Sequence, residues 1–399
     1  VLSIRDPIHG FIRIDPLEEA LIGSRPMQRL RFIRQLGLTF LIFPGAEHSR
    51  FSHVLGTMHL AGRIYDALAE RSESQLDPDR RAPERRLVRA AALLHDIGHA
   101  PYSHSAEEMF EGGIDHEEMT RRLLHTPELE EIFARHGDGV DAEAVSRVLA
   151  KKSEGTERLL SEIVSGELDV DKMDYLLRDS LYCGVRYGSY DLERLIDTVV
   201  AIEDPENGHG RIGVSAGGVH ALEALVMARY YMFTQVYFNP TGKVMELHYS
   251  QYLRDVGKRW PLDPAAFLRC DDVSVLHEMR RSQNRHARAI IERDRYVVAY
   301  ESREHLTQEE SRRFQELEPR LAEKFGEDRL LVDHSAKNPH KLGQARVLVR
   351  RFDGSLEPME EASDFIRHLS KIECFRFYAP RELKNEVAAE ILRLWGEDG

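Results

Sequence analysis

The segment that most restricts the fold is Leu87-Val88, continued by Ala90 to Leu94 and Ile97, which runs straight into His95-Asp96. It reads as a strongly apolar helix that stops near Gly98 and Pro101. A helix this apolar belongs in an interior, so it carries an imidazole and a carboxylate inward at its own end. His99, at i+4 from His95, shares that face. Polar residues are also favoured at a helix C-terminus by its dipole, so the pair alone says little about chemistry. Its company says more. Seven of the 19 histidines lie between His48 and His116, among them His53 in Arg50-Phe51-Ser52-His53, His104 and His116. Asp171 follows in Asp169-Val170-Asp171-Lys172. Together His53, His95, Asp96 and Asp171 make a set of two imidazoles and two carboxylates. Such mixed ligation suits Fe, Mn, Ni or Zn and leaves positions open for water and substrate.

Composition removes other classes. The 399 residues are 42% hydrophobic and 31% charged, an ordinary globular balance with room for two or three domains. No apolar run approaches the roughly 18 residues that cross a bilayer. The opening Val1-Leu2-Ser3-Ile4-Arg5-Asp6 has neither part of a secretory leader, so none is expected. Cys183, Cys270 and Cys374 are too scattered for a disulfide framework or a thiolate zinc site, and a reduced, cytoplasmic protein is expected. The net charge of −13 disfavours a nucleic-acid backbone. It does not disfavour a small anion in a locally basic pocket.

Along the chain, residues to about 195 read mostly as helices. Asp115, followed three residues on by Glu118, resembles a capping box that opens a helix through Leu123-Leu124, and Leu168 to Leu177 is helical too. Thr198 to Ile202 and Arg211 to Val214, joined by Asn207-Gly208-His209-Gly210, read as a hairpin. A helix from about His220 to Phe238 ends at Asn239-Pro240. Beyond about residue 256, short strands are expected at Tyr296–Tyr300, Leu330–Val332, Ala345–Val349 and Cys374–Tyr378. Charged helices at Glu309–Phe325 and Arg381–Leu394 accompany them. The fold class expected is mainly α, a helical bundle with a small β-hairpin and a C-terminal α+β appendage. Residues 1–255 would form the catalytic domain and 256–399 a region for packing and oligomerisation.

The order H…HD…D resembles the HD-domain metallophosphohydrolase superfamily, and most closely its deoxynucleoside triphosphate triphosphohydrolases. The likeness runs from Asp6-Pro7-Ile8-His9-Gly10 to about Lys243. It includes Gln28-Arg29-Leu30-Arg31, Gln35-Leu36-Gly37, Phe43-Pro44-Gly45-Ala46 and Arg50-Phe51-Ser52-His53. It continues through His95-Asp96-Ile97-Gly98-His99-Ala100-Pro101-Tyr102-Ser103-His104 and Asp169-Val170-Asp171-Lys172-Met173-Asp174-Tyr175 with Arg178-Asp179.

The resemblance implies roles residue by residue. His53, His95, Asp96 and Asp171 match metal ligands for a divalent Fe, Mn, Zn or Ni ion, with Mg²⁺ carried by the substrate triphosphate. The water that such a metal activates attacks the α-phosphorus, releasing deoxynucleoside and inorganic triphosphate. Arg50, Lys172 and Arg229 match phosphate-holding positions. His116 resembles the general acid at the 5′ oxygen, with Glu107 as its carboxylate partner where the family more often has Asp. His99 and His104 match residues near the phosphates and sugar. Lys172, Tyr175 and Asp179 share one helix face, Tyr175 for the sugar ring and Asp179 for the 3′-OH. Gln35 matches a second 3′-OH contact, and Leu36 with Tyr237 matches the pair that crowds the 2′ position. The resemblance also implies a homo-oligomer, dimer or tetramer. In the vertebrate sterile-alpha-motif/HD enzyme an aspartate reads an activating guanine; here that position is Gly23, and Leu2 replaces a basic residue, although Gln28 and Arg31 remain. A guanine-specific activator site of that type is therefore not expected, nor is a sterile-alpha-motif domain ahead of Leu2.

The leading expectation is a dNTP triphosphohydrolase, with dGTP a candidate for the preferred substrate although no motif spells out the base. Two alternatives differ in product. Another HD-type enzyme, a 5′-nucleotidase or phosphodiesterase, would release phosphate, pyrophosphate or a nucleotide. A nucleotide-sensing protein with a silent metal site would release nothing. Because crowding at the 2′ position excludes strongly, dGTP turnover should exceed GTP turnover in side-by-side product chromatography. Comparable rates would contradict this reading.

Overall fold

Two helices packed along one another form the centre of the protein: α1 (Arg50–Glu70) and α2 (Arg81–Leu94). The computed structural model describes residues 2–71, 78–150, 155–203, 210–338 and 347–397. Leu87 to Leu94 of α2 is buried without a break, as its composition requires. The polar exception, Arg89, is matched by Glu18, with Nε and Nη2 donating to its two carboxylate oxygens at 2.5 and 2.8 Å. A buried charge survives only when paired in this way.

Helix α3 (His116–Leu124) begins at Asp115, whose carboxylate accepts the Glu118 N–H at 2.9 Å. Only this half of the expected capping box forms, because Glu118 turns to Arg121 and Arg122 instead. Helix α4 (Val170–Cys183) packs against α1. Gly56 lies where they meet: a Cβ there would fall 1.8 Å from Asp174 Oδ1 and 2.6 Å from Arg178 Nη2. Helix α5 (Val219–Met232) continues into a π-helical turn at Phe233–Tyr237, and α6 (Pro240–Asp255) follows behind its Asn239 cap. The expected single helix from His220 to Phe238 thus changes pitch before it ends.

The chain opens with an antiparallel hairpin, β1 (Leu2–Asp6) and β2 (Gly10–Ile14), that the mostly helical reading of the first 195 residues did not contain. The expected hairpin is present as β3 (Val199–Glu203) and β4 (Gly210–Ser215), paired antiparallel. Its turn residues Asn207-Gly208-His209 lie outside the described residues. Further strands are β5 (Val297–Glu301), β6 (Leu331–Lys337), β7 (Leu348–Arg350), β8 (Leu356–Pro358) and β9 (Ile372–Ala379). β7 adds in parallel to β4, and β8 pairs with β7. β9 lies between β5 and β6, and all eight of its residues are buried, so no alternating pattern marks it. Helices α7 (Gln308–Phe325) and α8 (Lys384–Glu397) build a second apolar core on this sheet, with Phe314, Leu317 and Leu321 meeting Val387 and Ile391.

Residues after 256 also grip the segment that follows α2. Trp260 Nε1 donates to the Ala106 carbonyl at 2.9 Å, and buried Asp272 accepts the backbone N–H groups of Arg34 and Tyr102 at 2.9 and 2.8 Å. Tyr102 and Ser103 are held there with φ of 54° and 61°, a left-handed conformation that side chains rarely adopt unaided. Among the described residues no helix is long and apolar enough to cross a membrane.

Since α1 and α4 leave no room for a Cβ at position 56, Gly56→Ala should lower the unfolding free energy by about 1–3 kcal/mol in denaturant titrations. An unchanged midpoint would mean that Asp174 and Arg178 can yield.

Candidate metal and nucleotide site

Three helix termini meet at one point. Arg50 and His53 sit in the first turn of α1, one turn apart and on the same side. His95 ends α2, with Asp96 next to it. Asp171 and Lys172 lie in the first turn of α4, which starts where the Asp169 carboxylate accepts the Lys172 N–H at 2.8 Å. His53, Asp96 and Asp171 are all brought together with His95, although 118 residues separate His53 from Asp171.

His53 Nε2 lies 3.0 Å from Asp171 Oδ1 and 3.9 Å from Asp96 Oδ2. His95 Nε2 lies 3.3 Å from Asp96 Oδ1 and 3.7 Å from Asp171 Oδ1. Although buried, it makes no hydrogen bond among the described residues. One ligand atom each of His53, His95 and Asp171 falls within 4.8 Å of the others. Asp96 borders this trio, but Arg50 and His99 also claim its oxygens, at 2.5 and 3.2 Å. The residues fit a divalent ion: two imidazoles and carboxylate oxygens converge, and the buried His95 Nε2 faces two carboxylates without a hydrogen bond among the described residues.

Electrostatics agree. Burial would lower the His53 pKa, but the hydrogen bonds it donates to Asp171 and Asp174 raise it to about 10 in the protein alone. A bound cation would displace that proton. Burial opposes ionisation of Asp96, and Arg50 with His95 holds it well below the usual carboxylate range nonetheless. For His99, burial and then Arg50 push the pKa far down, which keeps the ring neutral.

A cavity of about 770 Å³ is lined by His95, Asp96, His99 and Asp171. His99 and His116 stack in it with ring centroids 4.1 Å apart, and Glu107 hydrogen-bonds His116 Nδ1. Further along, Gln35, Leu36, Tyr175, Asp179, Arg229 and Tyr237 line the same space. Tyr237 O–H donates to Asp179 Oδ2 at 2.8 Å, and His48 Nε2 meets Asp179 Oδ1 at 2.8 Å. The buried Gln35 Oε1 has no hydrogen-bond partner among the described residues.

Two predicted phosphate residues are already engaged. Arg50 donates to Ser103 Oγ from Nε and Nη2 at 3.1 and 2.8 Å besides its contact with Asp96. Lys172 Nζ reaches Asp169 Oδ2 at 2.5 Å and the Gly166 carbonyl at 2.8 Å. His104 falls in the short 3-10 segment Ser103–Met109, and its side chain lies outside the described residues. Sequence reasoning assigned no role to Asp174, which backs His53, or to His48, which backs Asp179. Both stand in or beside the quoted strings, yet only their contacts show what they hold.

Comparison with known proteins places the chain. Residues 50–179 match the HD domain, and residues 190–395 match the HD associated region. A hypothetical protein from Aquifex aeolicus superposes with a TM-score of 0.83 at 32% identity, over 98% of this chain and 99% of that one. A phosphohydrolase from Bacteroides thetaiotaomicron gives 0.76 at 26% identity, over 95% and 100%. Among curated proteins, the uncharacterized protein YwfO of Bacillus subtilis is 38% identical over 271 residues, 66% of this chain and 59% of its own length. The Dictyostelium discoideum deoxynucleoside triphosphate triphosphohydrolase SAMHD1 homolog is 32% identical over 298 residues, 70% of this chain and 55% of its own. The chain thus spans little more than half the length of these curated relatives.

After chelation and reloading, the wild-type protein should retain a divalent transition metal, measured by inductively coupled plasma mass spectrometry. Folded His53→Ala and Asp171→Ala proteins should retain far less. Equal retention would show that the ion binds elsewhere.

Proposed function

The chain belongs to the HD-domain phosphohydrolase superfamily, and from that premise we propose that it is a metal-dependent dNTP triphosphohydrolase. The observation that carries this reading is one continuous cavity. It is lined by His95, Asp96 and Asp171, with His53 buried behind them, and also by Gln35, Tyr237 and the doubly held Asp179. The relatives named as deoxynucleoside triphosphate triphosphohydrolases support the same substrate class.

When bound, a divalent ion supplies the Lewis acidity that helps water attack a phosphorus centre. The residues of the chain divide the remaining work. Asp179, fixed by His48 and Tyr237, accepts the 3′-OH, and the buried Gln35 Oε1, unpartnered among the described residues, is a second acceptor for it. Leu36 and Tyr237 crowd the 2′ position, so that a 2′-OH is excluded by lack of room. Arg50, Lys172 and Arg229 steady the phosphates, Lys172 exchanging Asp169 for a phosphate oxygen. Water oxygen joins the α-phosphorus, the bond to the 5′ oxygen breaks, and His116, oriented by Glu107, protonates the departing oxygen. The products are deoxynucleoside and triphosphate. His99, neutral and stacked on His116, completes the phosphate side, and the family resemblance gives His104 a part there too.

Asp96 belongs to the ligand set in this reading, with Fe, Mn, Zn or Ni as the ion and Mg²⁺ accompanying the triphosphate. A homo-oligomer, dimer or tetramer, in the cytoplasm is part of the same proposal, with residues 1–255 as the catalytic part and 256–399 serving packing and assembly.

Incubation with each dNTP and Mn²⁺ or Mg²⁺, resolved by ion exchange, should yield deoxynucleoside and triphosphate, with dGTP the first candidate for preferred base. Asp96→Ala should abolish the activity. Monophosphate, diphosphate or pyrophosphate products would assign a different HD chemistry.

A further inference from the structure

The Asp6-Pro7-Ile8-His9-Gly10 string has no part in the cavity, yet its side chains end directly behind a candidate metal ligand. Asp174 is fully buried, and each of its oxygens receives two contacts. Oδ2 meets His53 Nδ1 at 2.8 Å and Arg178 Nε at 2.8 Å. Oδ1 meets His9 Nε2 at 2.7 Å and Arg178 Nη2 at 2.9 Å. An ionised carboxylate offers about four lone-pair sites, and here all are taken. Because the carboxylate only accepts, both His9 Nε2 and His53 Nδ1 must carry hydrogens.

The donors come from opposite ends of the domain. His9 and Asp174 are 165 residues apart, and the short hairpin β1–β2 spans the gap. Its tip is built to aim His9. Asp6 Oδ1 accepts the backbone N–H groups of Ile8 and His9 at 2.8 and 3.0 Å, while Asp6 Oδ2 accepts Arg178 Nη1 at 2.9 Å. Gly10 then closes the hairpin opposite Asp6 with φ of 73°, which a side chain would resist. The opposite wall is Gly56, whose missing Cβ leaves the space that Asp174 Oδ1 fills. A hairpin needs none of this to pair its strands. Only 1% of the His9 side chain is exposed, so water does not replace its contact with Asp174.

We propose that His9, aimed by the Asp6 turn, is a positioning residue for the metal site. It holds Asp174 so that His53 keeps its hydrogen on Nδ1 and points Nε2 at Asp171 and the ion. The inference rests on the reading of His53, His95 and Asp171 as metal ligands. It adds that the N-terminal hairpin belongs to the machinery of that site although it touches neither metal nor substrate. Partners behind a ligating histidine commonly change metal affinity by 10–100-fold, because they set ring orientation and basicity.

The test is Mn²⁺ titration of the full chain, with free Mn²⁺ read by electron paramagnetic resonance. The wild type is compared with His9→Ala, His9→Gln and Phe11→Ala. Gln places an N–H donor close to the position of imidazole Nε2. Phe11 lies on the same hairpin but is 63% exposed and outside the network, so it reports on the hairpin alone. His9→Ala should weaken Mn²⁺ binding about tenfold or more, His9→Gln should recover most of the loss, and Phe11→Ala should bind like the wild type. Mn²⁺ affinity that is unchanged in a folded His9→Ala overturns the proposal, as does equal weakening in Phe11→Ala. If the wild type itself binds no Mn²⁺, the ligand reading falls and this inference falls with it.

A second measurement needs no variant. In the Zn²⁺-loaded wild type, ¹⁵N correlation spectra of the His53 ring should show hydrogen on Nδ1 and metal on Nε2. Metal on Nδ1 overturns the proposal even if His9→Ala cannot be purified folded.

Discussion

Removing carboxylates from water is the constraint on which this structure depends. Asp174 and Asp96 sit in the domain interior, where an unpaired charge would cost several kcal/mol, and Asp171, with 38% of its side chain exposed, sits at its edge. Each is therefore surrounded by donors: Arg178, His9 and His53 for Asp174, Arg50 and His99 for Asp96, His53 for Asp171. These pairings tie α1, α4, the end of α2 and the N-terminal hairpin to one another. What neutralises the charges also fixes the directions in which the imidazoles point. The site thus takes its geometry from the pairings that satisfy these acids.

The same logic reaches the segment after α2. Two successive residues in left-handed backbone, Tyr102 and Ser103, cost energy that the turn itself cannot recover. Asp272 and Trp260, from the region that follows the HD domain, supply hydrogen bonds that hold this path. The path in turn places Ser103 Oγ under the Arg50 guanidinium. The HD associated region is for this reason more than an appendage: it stabilises the backbone on which the Arg50 side of the cavity is built.

Much of the site was legible because local patterns carry it. An apolar helix ending in His95-Asp96 has one plausible destination, the interior. The i, i+3 and i+7 spacing of Lys172, Tyr175 and Asp179 puts them on one face whatever surrounds them. The hairpin at residues 199–215 and the charged helices near residues 308–325 and 384–397 follow from turn residues and amphipathic spacing. The opening hairpin was not legible, since its two five-residue strands alternate too briefly to stand out. Nor was the pitch change at Phe233–Tyr237, which follows a helix that is apolar almost all round.

By itself, then, the sequence determined which side chains are available, which helices must be buried and the ends at which imidazoles and carboxylates emerge. Those properties depend on residues within a few turns of one another. Tertiary structure alone decided that Asp174 would back His53, that His9 would reach it from 165 residues away, and that His48 and Tyr237 would clamp Asp179. Such contacts have no local signature. A buried polar atom takes whatever partner the packing delivers, and that partner is known only once the helices have met.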